Sequence, residues 1–455
     1  MTLLPLLATL AAAPLPRAAS PADVAVFIPH LDNLTALAAW GEKAGARSVL
    51  LRPGTWTSEF GAFFFVDPTR ADSLTAAGLY PKGDATVSRI GDGRLTCAAL
   101  ADVALFRRRS DERLKLLGEV EHKSERGVEW ALARLEKTLR AGYAIKGRYG
   151  CSFAGPARVE ALATEAGARV QSPSPTAGWP SAGTVWVKAP QGSIALRATP
   201  TDLVAEAKPS RSLAADLAAA GPSPYAALAP SGLLFARARI KAAAVAPWAH
   251  TLVASLGSVC PACGAPDVSA DVDALAALFT GNVLLRVDRA QVKGTLRSAA
   301  ERYFSARHAY LFELSTPADA LPVVAHLAQT LGAKTDGDAF ALGVPGGVLR
   351  FGIRESHFFL ANDEAALQRI ATATSAPAAT QGHGLEAWLD PRLAAQALGQ
   401  IPLLDILGSS ELASLFAVGT EVGPLLGITD SVSASADAPS RITLTWRLSA
   451  GASPE

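Results

Sequence analysis

The sequence predicts an α+β fold built from duplicated βα and βαβββ units, with mixed or antiparallel ferredoxin-like sheets. Two near-repeats carry this reading: GAFFFVDPTRADSL at 61–74 returns as HAYLFELSTPADAL at 308–321, and residues 83–106 match 337–360 without a gap. A third observation is a strand-like run leading directly into a helix-like run at 22–40, 231–248, 282–296 and 384–398. Long crossovers alternating with hairpins favour this arrangement over a doubly wound nucleotide fold.

Each element has a local reason. AFFFV at 62–66 and AYLFE at 309–313 favour strands, because aromatic side chains pack well on a pleated surface. Thr69 and Asp72, like Thr316 and Asp319, have capping-box spacing, and Pro317 suits a first helical position. Leu321, Val324, Leu327, Ala328 and Leu331 then trace an apolar helical stripe. Residues 83–106 and 337–360 each read as strand, tight turn, strand and a further short strand, with Gly91-Asp92-Gly93 and Pro345-Gly346-Gly347 at the turns. Cys97 aligns with Phe351, a buried strand position. A third version runs from Tyr143 through a helix at 157–168 and a hairpin at 184–198 to Thr199 and Asp202, again with cap spacing. Asp288 and Asp390 are candidate helix caps, with Pro391 at the first helical position of the latter.

PADVAVFIPHLDNL at 21–34, PSGLLFARARIKAAAV at 230–245 and the βα units resemble exported bacterial proteins of uncharacterised function that contain repeated α/β units. The resemblance spans much of residues 21–371. It implies an extracytoplasmic protein and transfers no catalytic residue.

The first twenty residues read as an export signal: an apolar run, then small residues ending in Ala18-Ala19-Ser20. A first α+β half at 21–218, a linker at 219–232 and a second half at 233–371 follow. Residues 372–455 form a further linker and a C-terminal βα/β extension. The expected location is periplasmic or secreted, with no transmembrane segment. With 42 basic against 41 acidic residues, the chain offers no field to gather nucleic acid.

Chemistry is harder to find. Cys260 and Cys263 lie in a Pro- and Gly-containing turn, where a local disulfide, free thiols, a metal pair or a redox pair all remain open. Cys97 and Cys151 are candidates for a second bridge if the fold brings them together. Among the seven histidines, His308 and His357 stand out, because each begins a predicted strand and a sheet that joined those ends would pair two imidazoles. GEVEHKSERGVEW at 118–130 reads as a solvated, charge-laced helix with Glu121 and Glu125 on one face. Asp84 and Asp338 suit turns before strands. Phe63, Phe64, Phe65, Tyr310, Phe312, Phe358 and Phe359 read as core, and any outward ring would line an apolar ligand groove or a partner interface.

No cofactor is implied. The leading function is a noncatalytic extracytoplasmic binding or assembly protein, with an unknown protein partner or apolar ligand. The alternatives are an exported enzyme with a dispersed active site and a carrier of an apolar molecule.

Overall fold

The structure, a computed structural model, describes residues 24–44, 56, 60, 66–90, 93–155, 159–172, 185–189, 192–209, 216–256, 266–290, 303–368, 380–400, 425–438 and 441–449. The chain divides into one unit of residues 1–210 with 448–455 and a second of 211–447.

In the first unit, β1 (Val24–Ile28) leads to α1 (Asn33–Lys43), and α2 (Ala71–Ala76) precedes the hairpin of β2 (Ala85–Ile90) and β3 (Gly93–Ala99). α3 (Val103–Leu114) then leads into four strands: β4 (Glu119–Glu125), β5 (Val128–Leu135), β6 (Thr138–Lys146) and β7 (Tyr149–Ala154). α4 (Val159–Gln171), β8 (Val185–Ala189), β9 (Gly192–Ala198) and β10 (Asp202–Pro209) complete it. The pairings give one antiparallel order, β4-β5-β6-β7-β3-β2-β1-β8-β9-β10. The turns of the four-strand meander are set locally. Arg126 and Gly127 between β4 and β5, and Glu136 and Lys137 between β5 and β6, all have positive φ. Two such residues in succession match the right-handed twist of the flanking strands.

The second unit contains β11 (Gly221–Ser223), β12 (Leu234–Arg239), α5 (Ala242–Leu256), α6 (Pro266–Ala276), β13 (Phe279–Ala290), β14 (Ala306–Leu314) and α7 (Pro317–Leu331). Its meander is β15 (Lys334–Asp336), β16 (Ala339–Val344), β17 (Gly347–Arg354) and β18 (His357–Ala361). β19 (Thr380–Gly382), β20 (Leu385–Leu389), α8 (Pro391–Gly399), β21 (Thr429–Ala438) and β22 (Arg441–Leu448) follow. The main sheet runs β15-β16-β17-β18-β14-β13-β12-β20-β21, again antiparallel throughout. β11 and β19 pair separately. Thus β20 and β21, assigned by sequence to a C-terminal extension, belong to the second unit's sheet.

Each unit is α+β, with an antiparallel sheet wider than a ferredoxin-like one. The same order recurs: a four-strand meander, then β3, β2, β1 and β8 in the first unit and β14, β13, β12 and β20 in the second. The register differs from the textual match. Residues 83–106 hold two strands and the start of α3, whereas 337–360 hold three strands. Asp102 explains the departure, because its side chain accepts from Leu105 N at 2.9 Å and starts a helix where a third strand was expected.

Other expectations are corrected in the same way. Thr69 bonds Asp67 rather than capping a helix, and α2 starts after Arg70. Thr316 is the N-cap of α7 but makes no side-chain cap bond. Thr199 accepts from Asp202 N at 2.9 Å in the turn between β9 and β10, so this third spacing marks a hairpin. Asp288 sits buried within β13 beside Arg286. Asp390 does cap α8, accepting from Arg392 N and Leu393 N. Residues 119–130 form the β4–β5 hairpin instead of a helix, with β4 exposed along its length. The expected strand at 62–66, including Phe63, Phe64 and Phe65, falls mainly outside the described residues.

Candidate functional site

The second unit's sheet is apolar on the side facing α5, α6 and α7. Phe312 of β14 and Phe358 of β18 point there, while Leu311 and Phe359 point the other way, as strand alternation requires. Phe312 stacks on Phe279 with ring centroids 5.1 Å apart, and it lies 5.9 Å from Phe358 and 5.8 Å from Trp248 of α5. The helices add aliphatic surface, since α7 buries Ala320, Val324, Leu327 and Ala328. α5 continues through Pro247, and Thr251 donates to the Pro247 carbonyl at 2.9 Å.

Between these layers lies a cavity of about 100 Å³, and among the described residues its lining side chains are all apolar. Trp248, Leu252, Val253 and Leu331 at its edge are half-buried. A comparable volume suits a single ring or a short alkyl stretch; an engineered apolar cavity of about 150 Å³ takes up benzene. The described lining offers desolvation and dispersion to an apolar group.

A second, more open cleft of about 330 Å³ lies in the first unit beside β4 and β5. Its polar side chains engage one another. Arg107 pairs with Glu129, Tyr143 donates to Asp111 at 2.9 Å, His122 lies 3.5 Å from Asp111, and Lys123 sits over the Trp130 ring. Burial and the Asp111 carboxylate hold the Tyr143 hydroxyl well above the usual phenol range, which keeps it a donor.

His308 and His357 are not brought together. β14 and β18 run antiparallel with Ala309 opposite Ala361 and Glu313 opposite His357. The two strand starts therefore lie at opposite ends, five positions or roughly 16 Å apart along the pair, and on opposite faces. Each ring is instead an isolated core histidine. His308 sits edge-on to Tyr303 at 4.4 Å and its Nδ1 lies 2.9 Å from the Ala306 carbonyl; burial pushes its pKa down to about 4. His357 is also lowered by burial and lies 5.6 Å from the Tyr225 ring. Neither Nε2 has a hydrogen-bond partner among the described residues.

Cys97 and Cys151 form a disulfide, facing each other across β3 and β7. Cys260 and Cys263 lie outside the described residues. Among the described residues, no group of three His, Cys, Asp or Glu side chains is placed to hold a metal ion, and no helix is long and apolar enough to cross a membrane.

No protein-family model matches the chain, and neither does any curated protein. A solved structure described as "Structure of crystal form I of TP0453" is 9% identical and aligns over 80% of this chain and 97% of that one, with a TM-score of 0.19. At that score the likeness carries no argument about fold or function.

The sequence singled out the core aromatics but missed the cavity. It also passed over His250 and His326, whose partners lie on a different helix.

Proposed function

We propose that the protein is a noncatalytic extracytoplasmic binding protein whose second unit holds the apolar part of a small ligand between the sheet and α5–α7. The all-apolar cavity carries the reading. Its volume is below the roughly 300 Å³ at which drug-sized ligands are enclosed, so one ring or chain end enters while the remainder stays outside. The export-like opening residues and the Cys97–Cys151 disulfide support the location, because structural disulfides persist in oxidising compartments. The recurrent strand order supports a reading of the two units as duplicated scaffolds, of which the second carries the site.

Calorimetric titration of the full chain with benzene tests the proposal. Saturable one-to-one binding is expected. Ala249→Leu, which extends a buried α5 side chain into the cavity, is expected to weaken it at least tenfold with folding intact. Absence of binding by the folded wild-type protein sinks the reading, as does undiminished binding by the variant.

An assembly role has its own observation. Leu116, Leu117 and Leu135 are exposed, and Gly118 brings their two turns together, since a Cβ there would lie 2.2 Å from Arg134 O. Sedimentation of wild type and Leu116→Ser/Leu135→Ser tests it. Concentration-dependent association lost in the variant supports that role, and a wild-type monomer at all concentrations removes it.

A further inference from the structure

The second unit's sheet carries a polar row on the face opposite the apolar cavity. Glu313 of β14 lies opposite His357 of β18, on the same side as Leu311 and Phe359. Asn282 of β13 joins them from the neighbouring strand, since its Nδ2 donates to Glu313 Oε2 at 2.7 Å. Thr280 donates to the same oxygen at 2.6 Å, and Asn282 Nδ2 also lies 3.4 Å from Thr280 Oγ1. Tyr225, which precedes β12, packs over the row with its ring 5.6 Å from that of His357.

Tyr225, His357 and Asn282 are 0%, 3% and 8% exposed. Among the described residues, the Tyr225 hydroxyl, His357 Nε2 and Asn282 Oδ1 have no hydrogen-bond partner. A buried polar atom left alone costs about as much as a lost hydrogen bond, so such atoms ordinarily meet a partner. The chemistry of these atoms restricts what that partner is. Asn282 commits its amide hydrogens to Glu313 and Thr280, so Oδ1 requires a donor. Burial and the Glu313 carboxylate hold the Tyr225 hydroxyl above the usual phenol range, so it brings a proton that requires an acceptor. Burial lowers His357, which keeps the ring neutral, and its Nδ1 lies 3.3 Å from Ser356 Oγ. An anion would meet further acceptors at Glu313 and Asn282, and an ammonium would offer no lone pair to Tyr225. A hydroxyl group satisfies every one of these atoms. It donates to Asn282 Oδ1 and accepts from Tyr225 and from the Nε2–H tautomer of His357.

We propose that Tyr225, Asn282 and His357 form a binding site for one neutral hydroxyl group, that of a water or of a small alcohol. The site uses different residues from the apolar cavity and the other face of the sheet, so it stands apart from the apolar-ligand reading. Glu313 is a positioning residue: by holding the Asn282 amide hydrogens it leaves Oδ1 as the acceptor. Thr280, at the end of the row, is exposed and puts solvent beside Glu313.

Tyr225→Phe in the full chain provides the first test, because it keeps the ring and removes only the hydroxyl. Losing a donor to a bound hydroxyl group is expected to raise the second unit's unfolding equilibrium constant about twofold to tenfold, read by denaturant unfolding with hydrogen exchange resolved to that unit. A variant as stable as the wild type, or more stable, overturns the site, since removing an unpaired hydroxyl relieves a penalty. NMR of the wild type with labelled tyrosine and histidine gives an independent reading. A long-lived water beside the Tyr225 and His357 rings supports the site, and its saturable displacement by ¹³C-methanol supports it with an alcohol as occupant. A water contact that methanol leaves unchanged supports it with water as the occupant. Contact from neither molecule overturns the proposal, whatever benzene does on the other face.

Discussion

The two units close the same place in different ways. Leu100 N bonds Arg148 O and Ala101 N bonds Gly78 O in the first; Leu314 N bonds Ser356 O and Ser315 N bonds Leu278 O in the second. Three residues inward from these anchors, the first unit has the Cys97–Cys151 disulfide and the second has Leu311 opposite Phe359. The opposite face differs too. Ala98 and Gly150 stand where the second unit has Phe312 and Phe358. Above Gly150, a ring atom of Phe106 from α3 comes within 3.3 Å of where a Cβ would lie. The small sheet residues are thus covered by a helix aromatic, whereas the second sheet supplies its own rings and leaves a cavity below apolar helices. One strand order therefore does not dictate one interior; side-chain volume on each face decides whether a site exists.

The strongest way to break this comparison is at the paired inner positions. Cys97→Ala/Cys151→Ala should cost the first unit about 4 kcal/mol, from the loop entropy of a bridge spanning 54 residues. Phe359→Ala should cost the second about 3–5 kcal/mol by opening a cavity in its core. Denaturant unfolding read by unit-resolved hydrogen exchange checks both, and losses under about 1 kcal/mol at either place would remove their structural equivalence.

Acid should separate the units next. His308 is held neutral by burial, with a pKa near 4, whereas its unfolded form protonates at an ordinary value. Stability from this group is therefore full above about pH 6.5 and is lost as pH falls towards 4, by about 3 kcal/mol over that window. The first unit's His30 and His122 are exposed. The second unit should accordingly lose stability over this range, and His308→Leu should flatten its curve. An unaltered curve in a folded variant would place the acid sensitivity elsewhere.

The smallest test concerns the helices that follow β3 and β14. Asp102→Ala should cost about 1 kcal/mol because it removes a cap bond to Leu105 N, while Thr316→Ala should cost less than half of that. Equal losses would show that the difference in cap bonding has no energetic counterpart.

Much of the scaffold was legible. The βα steps at β1–α1, β12–α5 and β20–α8 follow from apolar runs, with a polar cap at Asp390 for α8, and the hairpins of β8–β9 and β16–β17 from their turn residues. The β4–β5 hairpin was not, because Glu121 and Glu125 have helical spacing while Arg126 adopts a positive φ rarely signalled by arginine. The near-repeat in text is not a repeat in topology: Cys97 aligns in text with Phe351 of β17, whereas strand order makes β3 the counterpart of β14. Similar apolar runs suit any strand of a sheet, and only cross-strand pairing assigns each its place.

By itself, the sequence determined the α+β class, the alternation of strands and helices, and the apolar character of residues 309–331 and 349–360. These depend on local propensity and periodicity. Tertiary structure alone decided that Cys97 meets Cys151, that His308 and His357 face apart, and that His250 and His326 both reach α6. Such pairings join residues distant along the chain, and their geometry is fixed by strand register and helix packing, which no local pattern encodes.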